Sequence, residues 1–374
     1  MQVRPVQSSK DLKAFIDLPY RLHRDDPLWV PPFRHDIRTL LSKKKNPFFD
    51  HGDAAYFVAE REGRVTGRIA AISNRLHNET HADRVGFFGF FECEKDQATA
   101  NALVDTAAAW VADHGHDTLR GPMSFSVNDE CGLLIEGFDT PPYLMMPHNP
   151  PYYSQLLESA GFSKIKDLWA FLGGPKDSSI PVPERLARAV DVMGKRLGVT
   201  LRPLDMRKFP AEIQLIRRLF NDTWSSNWGY VPMTQRELEH LAKQFRPVVN
   251  PEIIPIAEID GRPIGFGLAI PDLNEVLIHN RSGRLFPAAL ELLWKLKRRR
   301  IRRVRITLLG VIPEYRGKGI DAMLYHWVWT RSVADGMPWA EASWILEDNP
   351  AMILGLEKMG FERYKTYRIY EKAL

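Results

Sequence analysis

The strongest chemical signal in this 374-residue chain is a four-residue turn, Arg316-Gly317-Lys318-Gly319. Glycines let a backbone approach a ligand closely, and the two cations add positive charge. Ahead of the turn, Ile306, Leu308, Leu309, Val311 and Ile312 form an apolar, β-branched run that reads as a buried strand. Behind it, a helical pattern starting at Ile320 sets Met323, Leu324, Trp327 and Val328 on one face. Strand, glycine turn and helix N-terminus together make an anion cradle. The first N–H groups of a helix have no intrahelical partner, and the macrodipole adds about half a positive charge there. The Gly-Lys-Ser/Thr ending of a P-loop and the three-glycine spacing of a dinucleotide fingerprint are both missing, which excludes those two nucleotide motifs.

The elements that would position such a turn occur twice. Tyr56–Glu60 and Gly63–Ile72 read as a hairpin, and Ile256–Ile259 with Arg262–Ile270 repeat it around an Asp260-Gly261 turn. Residues 149–162, NPPYYSQLLESAGF, match residues 349–361, NPAMILGLEKMGF: each is Asn-Pro, an amphipathic helix, then Gly-Phe where the helix stops. Self-similarity at this long period indicates a duplicated domain rather than a solenoid. A polar, proline-containing link from Gly173 to Glu184 joins the halves. The entry segment predicts a helix over Asp11–Leu18, then a proline-broken stretch from Asp25 to Pro32 that covers a site or packs on the core.

The glycine turn resembles the acyl-CoA pyrophosphate loop of the GNAT N-acyltransferase superfamily, Arg/Gln-x-x-Gly-x-Gly/Ala, here Arg316 to Asp321. Asp321 stands where glycine or alanine is usual, and a carboxylate so near a pyrophosphate is expected to weaken binding. The Asn349–Phe361 segment is similar to the GNAT stretch whose asparagine lies near the CoA arm. The resemblance implies an α/β fold of mixed sheets: two tandem GNAT-like domains, each a mostly antiparallel sheet with a splayed parallel pair, flanked by helices. It assigns 1–175 to a degenerate domain without a CoA loop, 176–194 to a linker and helix, and 195–374 to the domain with the loop. His23–Pro32 and the Asn-Trp-Gly-Tyr-Val-Pro element at 227–232 resemble the bacterial subfamily that includes ceramide synthases. Those transfer a long acyl chain from CoA to a sphingoid-base amine.

In that family the amine attacks the thioester directly. The resemblance therefore implies acyl-CoA as co-substrate, held by Arg316, Gly317, Lys318 and Gly319. Leu309 and Val311 would supply the splayed-strand amides along the pantetheine arm, with Asn349 beside it. The tyrosine acid of the family is replaced by Leu356, and by Leu157 in the first half; Tyr364, Tyr367, Tyr370 or water are the substitutes. A general base must reach the amine directly or through one water. Candidates are Asp129, Glu130, His148 and Glu347, with Glu341 and Asp348 close by; an acid before Asn-Pro also suits a helix cap. In place of the glycine loop the first half has an acidic stretch, Phe90 to Thr99, which should repel a pyrophosphate. It also gains an apolar insertion, Val127 to His148, that packs or lines a pocket, so the acceptor is expected from that half. Asn221 to Pro232 offers either an aromatic acceptor wall or a buried helix–helix turn.

Composition narrows the class further. With 44% hydrophobic and 26% charged residues the chain is an ordinary globular protein. No run approaches the length of a membrane span and the N-terminus shows no signal-peptide core, so a cytoplasmic protein is expected, with peripheral contact at the inner membrane face open. Two cysteines, Cys93 and Cys131, imply neither a disulfide framework nor a zinc site, and no metal is expected. A formal charge of +5 is mild, and the basic cluster Lys295 to Arg305 suits a solvated helix end, anionic lipid or CoA phosphates. Nucleic acid rests on that cluster alone. The rivals to the ceramide synthase-like reading are acetylation of a small amine and a silent CoA- or lipid-binding tandem module.

Overall fold

The structure, a computed structural model, describes residues 1–175 and 184–374, so residues 176–183 of the expected link lie outside the described residues. Chain order runs β1 (Gln2–Pro5), α1 (Ser9–Leu22), α2 (Arg34–Leu40), β2 (Gly52–Arg61), β3 (Arg64–Asn74), α3 (Arg75–His81), β4 (Val85–Cys93), α4 (Gln97–Asp113), β5 (Thr118–Gly121), β6 (Leu133–Glu136), α5 (Tyr153–Ser159) and β7 (Ser163–Gly173). There follow α6 (Glu184–Leu197), β8 (Val199–Pro203), α7 (Phe209–Trp224), α8 (Gln235–Phe245), β9 (Pro255–Ile259), β10 (Arg262–Pro271), α9 (Asn274–Leu277), α10 (Ala288–Lys297), β11 (Arg303–Val311), α11 (Ile320–Ala334), β12 (Trp339–Leu346), α12 (Pro350–Lys358) and β13 (Glu362–Ala373). Two compact units result. The first is Met1–Trp169 with Val276–Ala289 and Lys365–Leu374; the second is Ala170–Glu275 with Leu290–Tyr364.

In the first unit the strands lie in the order β1-β2-β3-β4-β5, and the end of β13 pairs antiparallel with β5, from Tyr370 opposite Gly121 to Ala373 opposite Thr118. Only β4 and β5 run parallel among these neighbours, over Val85–Phe87. The β2–β3 hairpin turns on Glu62 and Gly63, at φ 53° and 76°. Two successive positive-φ residues give the backbone twist that a two-residue hairpin requires. Helix α4 lays Ala100, Leu103, Val104, Ala107 and Val111 against Phe57, Ile69 and Phe88 of the sheet. Helix α1 starts at Ser9, two residues before the expected Asp11, because Ser8 and Asp11 form a reciprocal capping box, and it runs on past Leu18 to Leu22.

In the second unit the order is β12-β11-β10-β9-β8, again antiparallel except for one pair, β11 with β12. Asp260 and Gly261, at φ 49° and 76°, make the equivalent hairpin turn. Ile256, Ile264, Phe266, Val304, Leu324 and Val328 are fully buried and form the centre of its core. Both units thus show the mixed, mostly antiparallel sheet with one parallel pair that the resemblance implied.

Candidate functional site

The parallel pair of the second unit opens along its length. Register between β11 and β12 runs from Arg303 opposite Trp339 to Ile306 opposite Ala342 and then stops, although the strands continue to Val311 and Leu346. A β-bulge on β11 explains the divergence. Leu268 of β10 faces Leu308 while Ala269 faces Ile306, leaving Thr307 as the extra residue, its hydroxyl on Leu268 O at 2.9 Å. A bulge bends its strand and raises the local twist. Beyond it, Ile312 donates to Ile264 O at 2.9 Å, which fixes the alternation of the antiparallel ladder. Amides 308, 310 and 312 face β10; those of Leu309 and Val311 point away from it, along the edge that β12 has left.

Below the opening the strands are locked. Arg305 and Glu341 are register partners, both buried, with Arg305 Nε 2.9 Å from Ser343 Oγ and 3.7 Å from Glu341 Oε1. Ser343 Oγ donates to Glu341 Oε1 at 2.6 Å and Tyr364 donates to Glu341 Oε2. A carboxylate so engaged is a structural counter-ion, which moves Glu341 from base candidate to fastener of the splay; Tyr364 serves the same group.

From β11 the chain turns through Pro313–Tyr315 into the cradle. Gly317 and Gly319 sit at φ 70° and 82°, backbone that other residues adopt only with strain. Gly319 is the N-cap of α11 and no side chain caps that helix. A Cβ at Gly319 would lie 2.4 Å from Met193 Sδ of α6, a flexible side chain that would have to move aside, so it is the positive φ that reserves the position for glycine. Lys318 is exposed, its Nζ 4.8 Å from the Tyr315 ring centroid. Arg316 is spent differently. Its guanidinium donates to Val311 O at 3.1 Å and to Thr223 O, tying the end of α7 to β11. Asp321 occupies the first turn of α11, where a carboxylate meets the same dipole that would hold a phosphate. Uncapped amides, paired glycines and one exposed lysine fit a pyrophosphate.

Asn349 caps α12, its Oδ1 accepting from Met352 N at 3.2 Å, and Glu347 follows the end of β12 one turn away. Asn149, its counterpart in the first unit, instead clips β6: Oδ1 accepts from Leu134 N at 2.8 Å and Nδ2 donates to Leu134 O at 3.1 Å. Leu157 and Leu356 are fully buried apolar core. Trp224 stacks on Phe220 and lies against Gly310, while Tyr230 Oη holds Asn221 Oδ1 at 3.0 Å. Thr223, Tyr230 and Val231 are buried while Trp224 and Trp228 are half-buried, so the segment combines a packed turn with partly open aromatic faces.

In the first unit the corresponding opening is stitched shut. Met123 N donates to Phe88 O at 2.7 Å, and Met123 bridges Cys131. The insertion is packed: Phe125, Cys131, Leu133, Leu134, Tyr143 and Met146 are buried. Asp129 lies on its turn, accepting from Ser126 Oγ at 3.0 Å, and Glu130 is exposed next to it. His148, whose side chain is buried, puts Nε2 2.8 Å from Asp26 Oδ2, while Nδ1 is sealed from water with no hydrogen-bond partner among the described residues. Burial lowers the His148 pKa, outweighing the Asp26 hydrogen bond and charge that oppose it. Burial raises the Asp26 pKa, but Leu28 N–H at 2.9 Å and His148 reverse this and leave it below the usual carboxylate range. The result is a neutral imidazole with its Nε2 proton held by an ionised carboxylate and its Nδ1 lone pair uncommitted, the state a base must have at pH 7.

Asp26 belongs to a loop that Arg281 straps in place. The guanidinium donates to the carbonyls of His23, Arg24, Asp26 and Trp29, at 2.7 to 3.1 Å. Under the loop, His23 Nε2 and Tyr153 Oη hold Glu92 Oε2 at 2.9 and 2.8 Å. Desolvation pushes the Glu92 pKa up, yet His23, Arg68 and Tyr153 together bring it below normal, so it stays ionised. A pocket of about 350 Å³ beside the loop is bounded by Asp17, Tyr20, Arg24, Trp29, Arg34 and Arg281. Such a cationic lining suits an anion rather than the ammonium of an amine acceptor. Sequence reading had placed His148 among the candidates but missed Asp26 and Arg281, which lie 122 and 255 residues from their partners along the chain. Burial pushes the Cys93 thiol up to about 12, as befits an inert core cysteine.

No protein-family model matches the chain. It is 38% identical over 380 residues to the bacterial ceramide synthase of Caulobacter vibrioides, covering 100% of this chain and 98% of the relative. It matches protein YghO of Escherichia coli equally, 38% over 380 residues, covering 100% and 95%. The chain belongs to the bacterial ceramide synthase family. Solved structures that resemble it include a tandem GNAT protein from the clavulanic acid biosynthesis pathway, TM-score 0.55 at 14% identity over 100% of this chain and 98% of that one. A GCN5-related N-acetyltransferase from Sphaerobacter thermophilus aligns with TM-score 0.55 at 15% identity, over 100% and 95%. At such identities these two establish the tandem GNAT fold alone. Fold and family together make the chain a GNAT-type N-acyltransferase. Among the described residues no helix is long and apolar enough to cross a membrane.

Proposed function

We propose that this enzyme transfers a long-chain acyl group from acyl-CoA to the amine of a sphingoid base. The observation that carries the donor assignment is the uncapped, glycine-started entrance of α11 beside the unpaired edge of β11. The acceptor assignment draws its support from the name of the Caulobacter relative. We read 1–175 and 195–374 as the two copies of a duplication, the first without a CoA loop.

In this reading the amides of Gly317 to Gly319 and the first turn of α11, with Lys318, hold the diphosphate. Leu309 and Val311 N–H groups align the pantetheine arm and polarise the carbonyl, with Asn349 near it. The bound thioester supplies an acyl group activated toward amines. The proton-transfer candidates in this reading are His148, whose Nε2 proton Asp26 holds, and the carboxylates of Asp129, Glu130 and Glu347. With leucine at 157 and 356, the departing thiolate is protonated by water.

The test is CoA release by the purified chain. Palmitoyl-CoA with sphinganine should turn over, and acetyl-CoA with small amines should not. The reverse pattern would replace this proposal with acetylation of a small amine. CoA and palmitoyl-CoA should each raise the melting temperature, since ligands that bind only the folded state stabilise it; such shifts without turnover of any acyl-CoA would leave the silent-module reading standing.

A further inference from the structure

Helix α10 spends a narrow stripe on the core, where Ala288 and Leu292 are 6% and 7% exposed. Its other side carries Leu290, Leu293 and Trp294 at 61%, 48% and 48% exposure. Phe286, 64% exposed, lies in the turn just ahead of the helix. Positions 290, 293 and 294 fall on one helical face. Three large apolar side chains within five residues of one face form a patch rather than scattered surface leucines, and patches of this kind mark contact sites.

The charge beside the patch has one sign. Lys297, Arg298, Arg300 and Arg302 are exposed and make no ion pair among the described residues, and the Arg300 guanidinium lies 5.2 Å from the Trp294 ring centroid. The acids nearby are already matched: Glu291 pairs with Lys295 at 3.1 Å and Asp335 with Arg299 at 3.0 Å. A second copy of this chain would therefore bring cations to cations with no acid left to meet them. A bilayer surface meets every requirement: acyl chains for leucine and phenylalanine, the headgroup level for tryptophan, and lipid phosphates for the arginines.

We infer that α10, with Phe286 ahead of it and the basic run behind, docks the enzyme onto anionic membranes with its helix axis in the plane of the surface. The inference extends the reading of a lipid acceptor, but binding is read without turnover, so each can fail alone. The experiment is co-sedimentation of the full chain with vesicles of phosphatidylcholine alone or mixed with phosphatidylglycerol. Binding to the anionic vesicles should exceed binding to the neutral ones by roughly tenfold or more, since each cation near the surface contributes about fivefold. Leu290→Glu with Trp294→Glu should abolish binding to both, and Lys297→Glu with Arg300→Glu should abolish the preference for phosphatidylglycerol. Val192→Glu, which changes an exposed apolar residue of α6, should leave binding intact, and circular dichroism should show all variants folded. Equal or absent binding to the two vesicle types, or retention by the Leu290→Glu, Trp294→Glu variant, would overturn the inference. So would a dimer in light scattering that Leu290→Glu dissolves.

Discussion

The two helices that connect the strands of the parallel pairs, α4 and α11, begin in opposite ways. At α4 the N-cap is Asp96, whose carboxylate accepts from Thr99 N at 3.0 Å and from Arg61 at 2.7 Å. At α11 the N-cap is Gly319, in left-handed backbone with no side chain at all. A helix entrance satisfied by its own carboxylate has nothing left for a ligand; one started by glycine presents its amides outward. The strand openings repeat the contrast, stitched by Met123 in the first unit and free along Leu309 and Val311 in the second. Duplicated architecture can thus specialise by moving one cap: in the proposed reading, the first unit supplies proton-transfer groups and the second the donor cradle.

That division of labour can be broken at several points. His148→Ala should lower kcat by about 10²- to 10⁴-fold, the usual contribution of a general base, and leave CoA affinity unchanged. Because burial already lowers the His148 pKa, the acid limb of kcat should lie below pH 6.5, and Asp26→Asn should move it lower still while reducing kcat. A loss of CoA affinity in His148→Ala would merge the two roles. Gly319→Val, strained at φ 82° and set against Met193, should weaken CoA binding by about 100-fold in calorimetry, roughly 2.7 kcal/mol. The stability of the first unit should depend on pH through His77. Burial, with His81 and Arg120, depresses that imidazole to about 3, so the folded chain refuses a proton the unfolded chain takes near 6.5. Stability is complete above pH 6.5 and falls as pH drops toward 3; by pH 5 the loss is about 2 kcal/mol, and His77→Gln should flatten the denaturation midpoint over that range. Asp96→Ala should cost about 1 kcal/mol in urea titration with CoA affinity untouched. Asp321→Ala should have the smallest effect, a tightening of CoA binding by about two- to fivefold as the competing carboxylate leaves the helix entrance.

What the sequence discloses is local chemistry. Both hairpins are legible because Glu62-Gly63 and Asp260-Gly261 are turns that two positive φ values demand, and the cradle is legible because glycines and cations sit together within four residues. The duplication is legible from the Asn-Pro and Gly-Phe punctuation, yet the two asparagines act differently, Asn349 on a helix start and Asn149 on a strand. Long-range electrostatics is not legible. Nothing in the spacing of Asp26, His148 and Arg281 announces that the first two pair and the third straps the loop between them. Nor does spacing show that Glu341, one acid among several base candidates, has Arg305 as its register partner.

The placement of residues 365–374 has a consequence for synthesis. The first unit borders β5 with a strand encoded roughly 250 residues later, from Tyr370 opposite Gly121 to Ala373 opposite Thr118. At translation rates of about 5–20 residues per second, that edge waits some 12–50 s for its partner. During the wait β5 presents unpaired backbone, a template for a wrong strand. A ribosome-bound chain halted before residue 365 should therefore be protease-sensitive at Thr118–Gly121, and the first half expressed by itself should need residues 365–374 supplied in trans to become soluble.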